Sequence, residues 1–494
     1  MKKIAFSNEQ YVSLQSKHIK ERIAQFGDKL YLEFGGKLFD DHHASRVLPG
    51  FEPDSKLKML LSLKEDVEII IAICAQDIEK NKVRNDIGIT YDNEVLRLID
   101  VFREFGLFVG SVTITQYANQ PAADTFRHHL ENLGVKVFLQ YPIEGYPSNI
   151  PLIVSEEGYG KNDYITTEKP LVVVTAPGPG SGKMATCLSQ LYHEHLRGVK
   201  AGYAKFETFP IWNLPLKHPV NLAYEAATAD LNDINMIDPF HLEAYGETTV
   251  NYNRDVEIFP VLNAIFDKIL GTSPYQSPTD MGVNMAGNCI IDDAAAREAS
   301  KDEIIRRYYQ ACVDFEKGRV NSSAIDKIKM IMSQAEITLE DRPCVKPTLN
   351  TSEETSLPAC CIELNDGTII TGKTKQLLGC SSAALLNALK HLADIDDNIH
   401  VISPSVIEPI QQLKIEHLGN RNPRLHTDEV LIALAMSATN DENARKAYQQ
   451  LDKLAGCEAH CSVILSEVDM NVFRNLKVNL TCEPKYQTHK MYQK

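Results

Sequence analysis

The stretch that decides the fold is Leu171-Val172-Val173-Val174-Thr175-Ala176-Pro177-Gly178-Pro179-Gly180-Ser181-Gly182-Lys183. Its first six residues are apolar or β-branched, which is typical of a strand buried on both faces of a sheet. The glycine-rich turn that follows leads into residues 184–197, whose apolar spacing predicts a helix. A buried strand, a glycine turn and a helix in succession indicate an α/β domain with a parallel sheet.

The glycine turn itself predicts an anion-binding site. Such a turn gathers unpaired amide groups at the N-terminus of the helix, where the helix dipole adds positive potential. The ammonium of Lys183 would add a full positive charge. We therefore expect the turn to hold a phosphate group through Gly178, Gly180, Ser181, Gly182 and Lys183. The same residues also suit a tight structural turn without a ligand.

The P-loop pattern G-x-x-x-x-G-K-[ST] matches this turn in part, because Gly182 and Lys183 fit. Pro177 stands where the first glycine is expected, and Met184 replaces the hydroxyl that would bind Mg²⁺. A metal would then need other ligands, for which the candidates are Thr186, Ser181 or an acidic side chain from elsewhere.

The dinucleotide pattern G-x-G-x-x-G also matches in part. Gly178 and Gly180 fit, whereas Lys183 stands at the third glycine. Glu207 is the candidate for the acidic residue expected after the next strand. The sequence therefore leaves nucleotide and dinucleotide binding open.

A later segment is rich in side chains that could bind Mg²⁺. Its members are Asp230, Asp233, Asp238, His241 and Glu243. Carboxylate oxygens are the hard ligands that this ion prefers. Aspartate-rich loops are also common without any metal, so the metal ligands stay unknown at this point.

A second dense group of polar residues lies near the N-terminus, in Glu33-Phe34-Gly35-Gly36-Lys37-Leu38-Phe39-Asp40-Asp41-His42-His43. Carboxylates and imidazoles this close together suit a general acid/base site or a metal site, and we expect Asp41 or His42 to handle a proton. The alternative is that Asp41 is the N-cap of a helix that begins near residue 44. Residues 76–82 follow a strand candidate and lie where open α/β sheets place ligands, although solvent exposure alone would also explain their charges.

The wider pattern predicts three segments. Strand candidates 68–73, 109–115, 135–140, 152–155, 171–176 and 201–206 alternate with helical stretches such as 94–105 and 122–133. We assign residues 1–235 to an N-terminal α/β phosphate-binding domain, whose parallel sheet carries a P-loop-like or Rossmann-like glycine loop. Residues 207–287 are rich in proline, asparagine and aromatic residues, and we expect loops that close over a ligand or, alternatively, that only wrap the surface between domains.

Helical periodicity returns at 303–317 and 324–335, so residues 236–345 form a loop-rich and helical connector domain. The polar stretch 346–357 predicts a linker, and Asn365-Asp366-Gly367 predicts a tight hairpin. Helix candidates 381–392, 428–436 and 442–454 and strand candidates 400–402 and 461–465 predict a second, C-terminal α/β domain over 346–494.

Composition narrows the choice of partners. The chain has 494 residues and a net charge of -15, which argues against a nucleic-acid backbone as the main partner. Its eleven cysteines show no paired framework and residues near Met1 do not read as a secretory signal, so we expect a cytoplasmic protein. The longest apolar run is far short of the roughly 18 residues of a membrane span. The expected partner is a small phosphorylated molecule, and a homodimer is the base-rate expectation.

Four strings carry a resemblance to a known family: K-L-Y-L-E-F-G-G-K-L-F-D-D-H-H from Lys29, T-A-P-G-P-G-S-G-K from Thr175, K-F-E-T-F-P-I-W-N-L-P-L-K-H-P from Lys205 and S-P-T-D-M-G-V-N from Ser277. They resemble the bacterial family catalogued as domain of unknown function 1846, over the whole chain. The resemblance implies a cytoplasmic bacterial protein with an α/β N-terminal part and a distinct C-terminal α/β domain. It implies no catalytic residue.

Competing functions follow from these observations. The first is a nucleotide- or phosphate-binding, phosphotransferase-like enzyme that acts on a small metabolite, with ATP or another nucleotide and Mg²⁺ as cofactors. In it Lys183 stabilises charge on the transferring group, and Asp41 or His42 handles the proton. The alternative is a non-catalytic module that binds a phosphometabolite or dinucleotide, which the two mismatched P-loop positions favour. A third hypothesis, a hydrolytic or transferase site in the C-terminal domain, rests on isolated polar residues: His400, Ser403 and Ser405.

Overall fold

The computed structural model of the protein describes residues 3–27, 29–36, 38–39, 41–84 and 88–488. These residues form two compact units. The N-terminal unit comprises residues 4–225 and 233–297, and the C-terminal unit comprises residue 3, residues 226–232 and residues 298–488, within these described ranges. The three-segment division drawn from the sequence stays a prediction.

Strands of the N-terminal unit, in chain order, are β1 (Lys29–Phe34), β2 (Val67–Cys74), β3 (Val83–Arg84), β4 (Ile89–Thr90), β5 (Phe108–Thr115), β6 (Val137–Leu139), β7 (Leu171–Thr175), β8 (Ala201–Phe206), β9 (Asn235–Ile237), β10 (Val250–Tyr252) and β11 (Gly282–Val283). Within the described ranges, seven of them form one parallel sheet in the order β11-β8-β1-β7-β2-β5-β6. β3 pairs with β4, and β9 pairs with β10. The predicted parallel α/β sheet is therefore confirmed.

Helices of this unit are α1 (Asn8–Phe26), α2 (His42–Val47), α3 (Ser55–Ser62), α4 (Ala75–Glu79), α5 (Tyr91–Glu104), α6 (Pro121–Asn132), α7 (Ile150–Ile153), α8 (Lys183–Leu196), α9 (Pro219–Ala227), α10 (Pro239–Tyr245), α11 (Asn253–Leu270) and α12 (Pro278–Met281). Every residue of β2 and β7 is buried, as expected of central strands whose two faces are both covered. Val172 and Val174 of β7 pack in one apolar core with Leu188 of α8 and Phe266 of α11. This core holds the glycine turn between β7 and α8 in place.

Five of the six strand candidates are confirmed, as β2, β5, β6, β7 and β8. The candidate at 152–155 is wrong, because α7 occupies Ile150–Ile153. Asn149 accepts a hydrogen bond from the amide of Leu152 and a proline lies in the first turn, so a helical turn begins there. Strand β1 was not predicted, since Glu33 was assigned to the dense polar group of residues 33–43 and Lys29 interrupts the apolar pattern.

The expectation of mostly irregular structure over residues 207–287 is wrong in part. This segment contains α9 to α12 and the β9-β10 pair, and α11 alone is 18 residues long. Pro260 lies inside α11, and a proline in an apolar run argues against a helix when only the sequence is known. The segment between β8 and α9 does retain an irregular path.

The C-terminal unit has its own mixed sheet. Its strands are β12 (Ala359–Glu363), β13 (Ile369–Lys373), β14 (Glu458–Cys461) and β15 (Asn479–Cys482), in the order β13-β12-β14-β15. The helices after residue 290 are α13 (Asp293–Glu316), α14 (Ser322–Gln334), α15 (Val345–Thr355), α16 (Cys380–Leu392), α17 (Pro404–Gln412), α18 (Thr427–Ser437), α19 (Glu442–Tyr448) and α20 (Glu467–Asn475). β14 and β15 are parallel, whereas the other neighbours are antiparallel.

The hairpin predicted in the C-terminal unit is confirmed, with Gly367 at φ 87° in its turn. The linker predicted at 346–357 is wrong, because most of it is α15. The hydroxyls of Thr348 and Thr355 donate to carbonyls one turn earlier, which lets this polar segment stay helical. The strand expected at 400–402 is absent from the described chain. The strand expected at 461–465 is wrong in its bounds, because β14 ends at Cys461 and residues 462–465 are not a strand. No helix within the described ranges has an apolar stretch long enough to cross a membrane.

One buried carboxylate fastens α8 to the centre of the parallel sheet. Glu194, in the last turn of α8, is fully buried and accepts hydrogen bonds from Lys29 Nζ at 2.8 Å and Tyr31 Oη at 2.7 Å, both on β1. A carboxylate at a helix C-terminus opposes the helix dipole, so these donors are needed to stabilise it. The contact fixes the end of α8 that lies opposite the glycine turn.

We predict that Glu194→Ala lowers the free energy of unfolding by about 3–5 kcal/mol, because it leaves the buried hydroxyl of Tyr31 without its acceptor and the half-buried ammonium of Lys29 with Thr167 Oγ1 as its remaining acceptor. Urea unfolding followed by circular dichroism measures the loss. Glu157→Ala is the matched control: Glu157 pairs with Lys161 on the surface at 2.6 Å, and its removal should leave stability unchanged within error. Equal stabilities for the two variants would contradict the anchoring role of Glu194.

Candidate functional site

The candidate site lies at the carboxyl edge of the parallel sheet, where β7 ends at Thr175 and residues 176–182 lead into α8. Gly180 and Gly182 have φ of 80° and 87°, in the left-handed region that favours glycine. Gly182 is the N-cap of α8, and Lys183 is the first residue of that helix. The strand, turn and helix predicted from the sequence are therefore present in the predicted order.

Side chains from two neighbouring elements hold the glycine turn. Thr115, the last residue of β5, donates from Oγ1 to the carbonyl of Ser181 at 2.9 Å, and Ser181 Oγ donates to the carbonyl of Gly178 at 3.0 Å. A Cβ at Gly182 would lie 2.8 Å from Thr115 Oγ1, and one at Gly178 would overlap the hydroxyl of Tyr91. The close packing explains why glycine is needed at both positions.

The amide groups of the turn are available to a ligand. The amides of residues 178 and 180–185 donate no hydrogen bond to any group in the described chain. The prolines at 177 and 179 have no N–H to contribute. Since α8 is 14 residues long, its dipole adds positive potential at the same end. The turn therefore presents a row of free donors where an anion would be stabilised.

Lys183 is half-buried, and its ammonium makes no hydrogen bond or ion pair with the described residues. Burial lowers the pKa of Lys183, because the charged form loses hydration. Glu33 acts in the opposite direction on this pKa, whereas Lys205 lowers it further. The site thus contains a lysine whose positive charge has no direct partner among the described residues.

Beside Lys183 lies a group of titratable side chains that we name the acid/base cluster: Glu33, Tyr203, Lys205, Glu207 and Asp255. Lys205 Nζ lies 2.6 Å from Glu207 Oε1 and 2.6 Å from Asp255 Oδ2. Tyr203 Oη donates to Glu33 Oε2 at 2.6 Å. All of the carboxylates in the cluster are buried. The cluster extends across the ends of β1 and β8 and the first turn of α11.

Burial acts in opposite directions on the pKa values of the carboxylates and the lysine of this cluster. It raises the pKa of Glu207, and Lys205 offsets only part of that rise. Burial acts to lower the pKa of Lys205, but Asp255 and Glu207 raise it overall. Glu207, whose pKa is raised, therefore belongs to the same cluster as Glu33 and Lys205, which act on the lowered pKa of Lys183. Perturbed pKa values of this kind are often found where protons are transferred.

Glu207 occupies a different place from the acidic residue of a dinucleotide fold. β8 is not the neighbour of β7, because β1 lies between them, so the end of β8 is about 10 Å from the end of β7. The carboxylate of Glu207 is engaged with Lys205. The structure thus gives Glu207 an electrostatic partner, and its contact with a ribose stays a prediction.

Asp41 is the N-cap of α2, as one of the two interpretations of the sequence expects. Its Oδ1 accepts from the amide of Ala44 at 3.2 Å, and its Oδ2 lies 2.8 Å from Lys56 Nζ. Burial acts to raise the pKa of Asp41, but the ammonium of Lys56 keeps it below the usual value. His42 is exposed. The proton-handling roles of Asp41 and His42 stay predictions, and Lys37 and Asp40 of the same string lie outside the described residues.

The acidic segment after residue 229 has structural contacts. Asp238 is fully buried and accepts from the amides of Phe240 and His241 at the start of α10, while Thr279 donates to its other oxygen. Asp233 pairs with Arg254 at 3.4 Å. Among the residues that the structure describes, no group of three His, Cys, Asp or Glu side chains could hold a metal ion.

The two hydroxyls considered as Mg²⁺ ligands are used inside the protein. Thr186 Oγ1 donates to Gln140 Oε1 at 2.9 Å and contacts the carbonyl of Gly182 at 3.0 Å. Ser181 Oγ bonds the carbonyl of Gly178. These hydrogen bonds of Ser181 and Thr186 stabilise the glycine turn and the start of α8.

Residues 76–82 border the glycine turn. Asp77 pairs with Lys82 at 3.1 Å, and Lys82 Nζ lies 4.8 Å from the ring centre of Tyr91. Tyr91 is the residue whose hydroxyl abuts Gly178. Among the described residues, the site residues that the sequence did not suggest are Tyr91, Thr115, Tyr203, Lys205 and Asp255, whereas Glu33 lay in the polar string already singled out. The available signal was a charged residue inside an apolar strand, as Glu33 in β1 and Lys205 in β8 both show.

Fold and site together define an α/β protein with a glycine turn at the carboxyl edge of a parallel sheet and a separate C-terminal α/β unit. The chain belongs to the family described as Domain of unknown function DUF1846: its N-terminal part matches over residues 4–336 and its C-terminal part over residues 340–492. Similar proteins are the UPF0371 proteins of Streptococcus pneumoniae strains Hungary19A-6 and JJA, each 60% identical over 494 residues and covering 100% of both chains. The family expected from the four strings is thereby confirmed.

We predict that Gly182→Ala destabilises the protein more than Gly180→Ala. Both substitutions force a Cβ into the left-handed region at a cost of about 1–2 kcal/mol, but only Gly182 also meets Thr115, since the space around Gly180 is open. Thermal or urea unfolding of the two variants measures the difference. If they lose equal stability, the packing of Thr115 against the turn does not constrain position 182.

Proposed function

We propose that this protein is a phosphotransferase-like enzyme that holds the phosphate group of a nucleotide or small metabolite in its glycine turn. The single observation that carries the proposal is the set of unpaired amides at 178 and 180–185 beside the unpaired ammonium of Lys183, within the described chain. These donors share one end of α8. A phosphate would accept hydrogen bonds from them and neutralise the lysine.

Preorganisation supports the proposal. Donors that are already fixed stabilise a charge without reorganising when the ligand arrives. Thr115 and Ser181 hold the turn in its open form without using its amides. Burial removes hydration from the ammonium of Lys183. The attraction between this ammonium and an anion would therefore be stronger than that of an exposed lysine.

The acid/base cluster supports a reaction beyond binding. In the proposed mechanism Lys183 stabilises the charge that develops on the transferring phosphoryl group. A carboxylate accepts the proton of the attacking hydroxyl, and Glu33 is well placed because it acts electrostatically on the ammonium of Lys183. Asp41 and His42 stay candidates for the same role. Burial raises the pKa of Glu207, which favours its protonated form relative to an exposed glutamate, as expected of a group that can donate a proton.

ATP or another nucleotide with Mg²⁺ fits this proposal as cofactor. Mg²⁺ commonly binds through substrate phosphates, waters and only one or two carboxylates, so it needs no cage of three protein ligands. The proposal places the protein in the cytoplasm, which agrees with eleven unpaired cysteines. A homodimer stays an expectation.

A second candidate function is a module that binds a phosphorylated metabolite or a dinucleotide without turnover. The observation that favours it is the engagement of Ser181 and Thr186 in internal hydrogen bonds, together with Met184 at the position where a P-loop has a metal-binding hydroxyl. Incubation with nucleotide, Mg²⁺ and candidate acceptor metabolites separates the two functions. Tight binding without any product after prolonged incubation would favour the module.

The test of phosphate binding is an equilibrium titration of the full-length protein with a non-hydrolysable ATP analogue, a sugar phosphate and sulfate. We expect Lys183→Ala to lower the affinity for these ligands about 10- to 100-fold, because a charge-assisted hydrogen bond is lost. Lys161→Ala is the matched control, since Lys161 is an exposed lysine paired with Glu157. If Lys183→Ala binds as well as the parent protein, the glycine turn is not the phosphate site.

We also predict that the affinity for sulfate falls as the pH rises. Burial lowers the pKa of Lys183, and a bound anion would raise it. At a pH between the lowered pKa and the raised pKa, anion binding is therefore accompanied by uptake of a proton. Affinity is therefore full below the lowered pKa and declines above it. Sulfate is a suitable probe, because it does not titrate in this range.

Calorimetric titration at several pH values measures this dependence. Lys183→Arg keeps the positive charge over the whole range and should lose the decline, because arginine stays protonated. An unchanged pH profile in Lys183→Arg would show that another group controls sulfate binding.

A further inference from the structure

Four cysteines meet in the apolar core of the C-terminal unit, and we name them the cysteine cluster: Cys360 on β12, Cys380 on α16, Cys461 on β14 and Cys482 on β15. Cys360 lies directly opposite Cys461, which in turn lies opposite Cys482, so their side chains share one face of the sheet. Cys380 Sγ lies 3.6 Å from Cys461 Sγ. All four are buried and unpaired.

Cys380 has the surroundings of a nucleophilic thiol. It is the first residue of the 13-residue helix α16, where the dipole favours a negative charge. Its contact with Cys461 lowers the pKa of Cys380, burial opposes this, and bonds from Thr374 and the amide of Ser381 lower it again. The overall pKa of Cys380 is below the usual value.

Cys461 has the opposite character. Burial raises the pKa of its thiol, and contacts with Cys360, Cys380 and Cys482 raise it further. Cys461 therefore stays a protonated thiol at the centre of the cluster, within reach of the Cys380 sulfur. Cys461 contacts the other three sulfurs, and the described residues contain no group of three His, Cys, Asp or Glu side chains that could hold a metal ion.

We propose that Cys380 and Cys461 form a redox-active dithiol, which a small hydroperoxide converts to an intramolecular disulfide. The Cys380 thiol first releases its proton, and the thiolate sulfur attacks the terminal oxygen of the hydroperoxide. An S–O bond forms as the O–O bond breaks, and the leaving alkoxide (hydroxide, for hydrogen peroxide) takes up the released proton and departs as an alcohol (water). The sulfenic acid formed on Cys380 is then attacked by the Cys461 sulfur, the S–O bond breaks, and water leaves. Two thiols are oxidised by two electrons, and one hydroperoxide is reduced.

The geometry suits this second step. The sulfurs of Cys380 and Cys461 already lie 3.6 Å apart, and they must approach to about 2.05 Å to form a disulfide. Cys380 is only 3% exposed, so a hydroperoxide of a few atoms can reach it more easily than a bulky thiol reagent. Reduction by an external dithiol would restore both thiols through thiol–disulfide exchange. The inference is independent of the phosphate site.

The test treats the folded full-length protein with hydrogen peroxide, then blocks free thiols under denaturing conditions and maps the peptides by mass spectrometry. We expect a mass decrease of about 2 Da and a linkage between Cys380 and Cys461. Cys461→Ala should instead accumulate a sulfenic acid on Cys380, which dimedone traps. Cys187→Ala is the matched control: Cys187 is a buried thiol of the N-terminal unit, and its removal should leave the linkage unchanged.

Several results would overturn the proposal. They are a linkage of Cys461 to Cys360 or Cys482 instead, a linkage that appears only in urea, and oxidation of other cysteines before Cys380. The parent protein alone decides among these results, so a folding defect in Cys461→Ala leaves the test intact. Circular dichroism of the variant before treatment shows whether its sulfenic acid result can be counted.

Discussion

The left-handed backbone at Gly182, packed against Thr115, is the constraint on which the candidate site depends. It turns the chain from β7 into α8 while leaving the amides of residues 178 and 180–185 without partners in the described chain. The turn could have satisfied these amides with its own carbonyls, but two of those carbonyls accept instead from the hydroxyls of Thr115 and Ser181. Side chains that lock a loop without using its donors leave the site ready for a ligand.

Much of the N-terminal sheet could be predicted from the sequence because its central strands are continuous apolar runs. β2, β7 and β8 fall within one residue of the expected bounds. Strand β1 could not be predicted in this way, because it contains the charged residues Lys29 and Glu33. These side chains are compatible with a central strand only because they contact Glu194 and Tyr203. Helix α11 could not be predicted either, because Pro260 lies within it. Local pattern reports burial well, but it does not report partners that lie far along the chain.

The candidate site shows the same limit. The glycine turn and Lys183 could be identified locally, because a turn between a strand and a helix has one physical use for free amides. The acid/base cluster could not, because Glu33, Lys205 and Asp255 come from three elements that meet only in the folded sheet. Asp41 shows the reverse case: its neighbours in sequence suggested chemistry, while its contacts with Ala44 and Lys56 also explain it as a helix cap.

The position of β1 has a consequence for how the chain folds. β1 is synthesised first, yet it lies between β7 and β8 in the middle of the sheet. β1 can therefore pair on both of its edges only after about 170 further residues have been synthesised, because β8 ends at Phe206. Contacts this distant along the chain slow folding, because the entropy of closing a long loop is lost before any pairing is gained. A nascent chain stalled before β8 would hold the tyrosine and leucine side chains of its first strand only partly covered, which is the kind of surface that chaperones recognise.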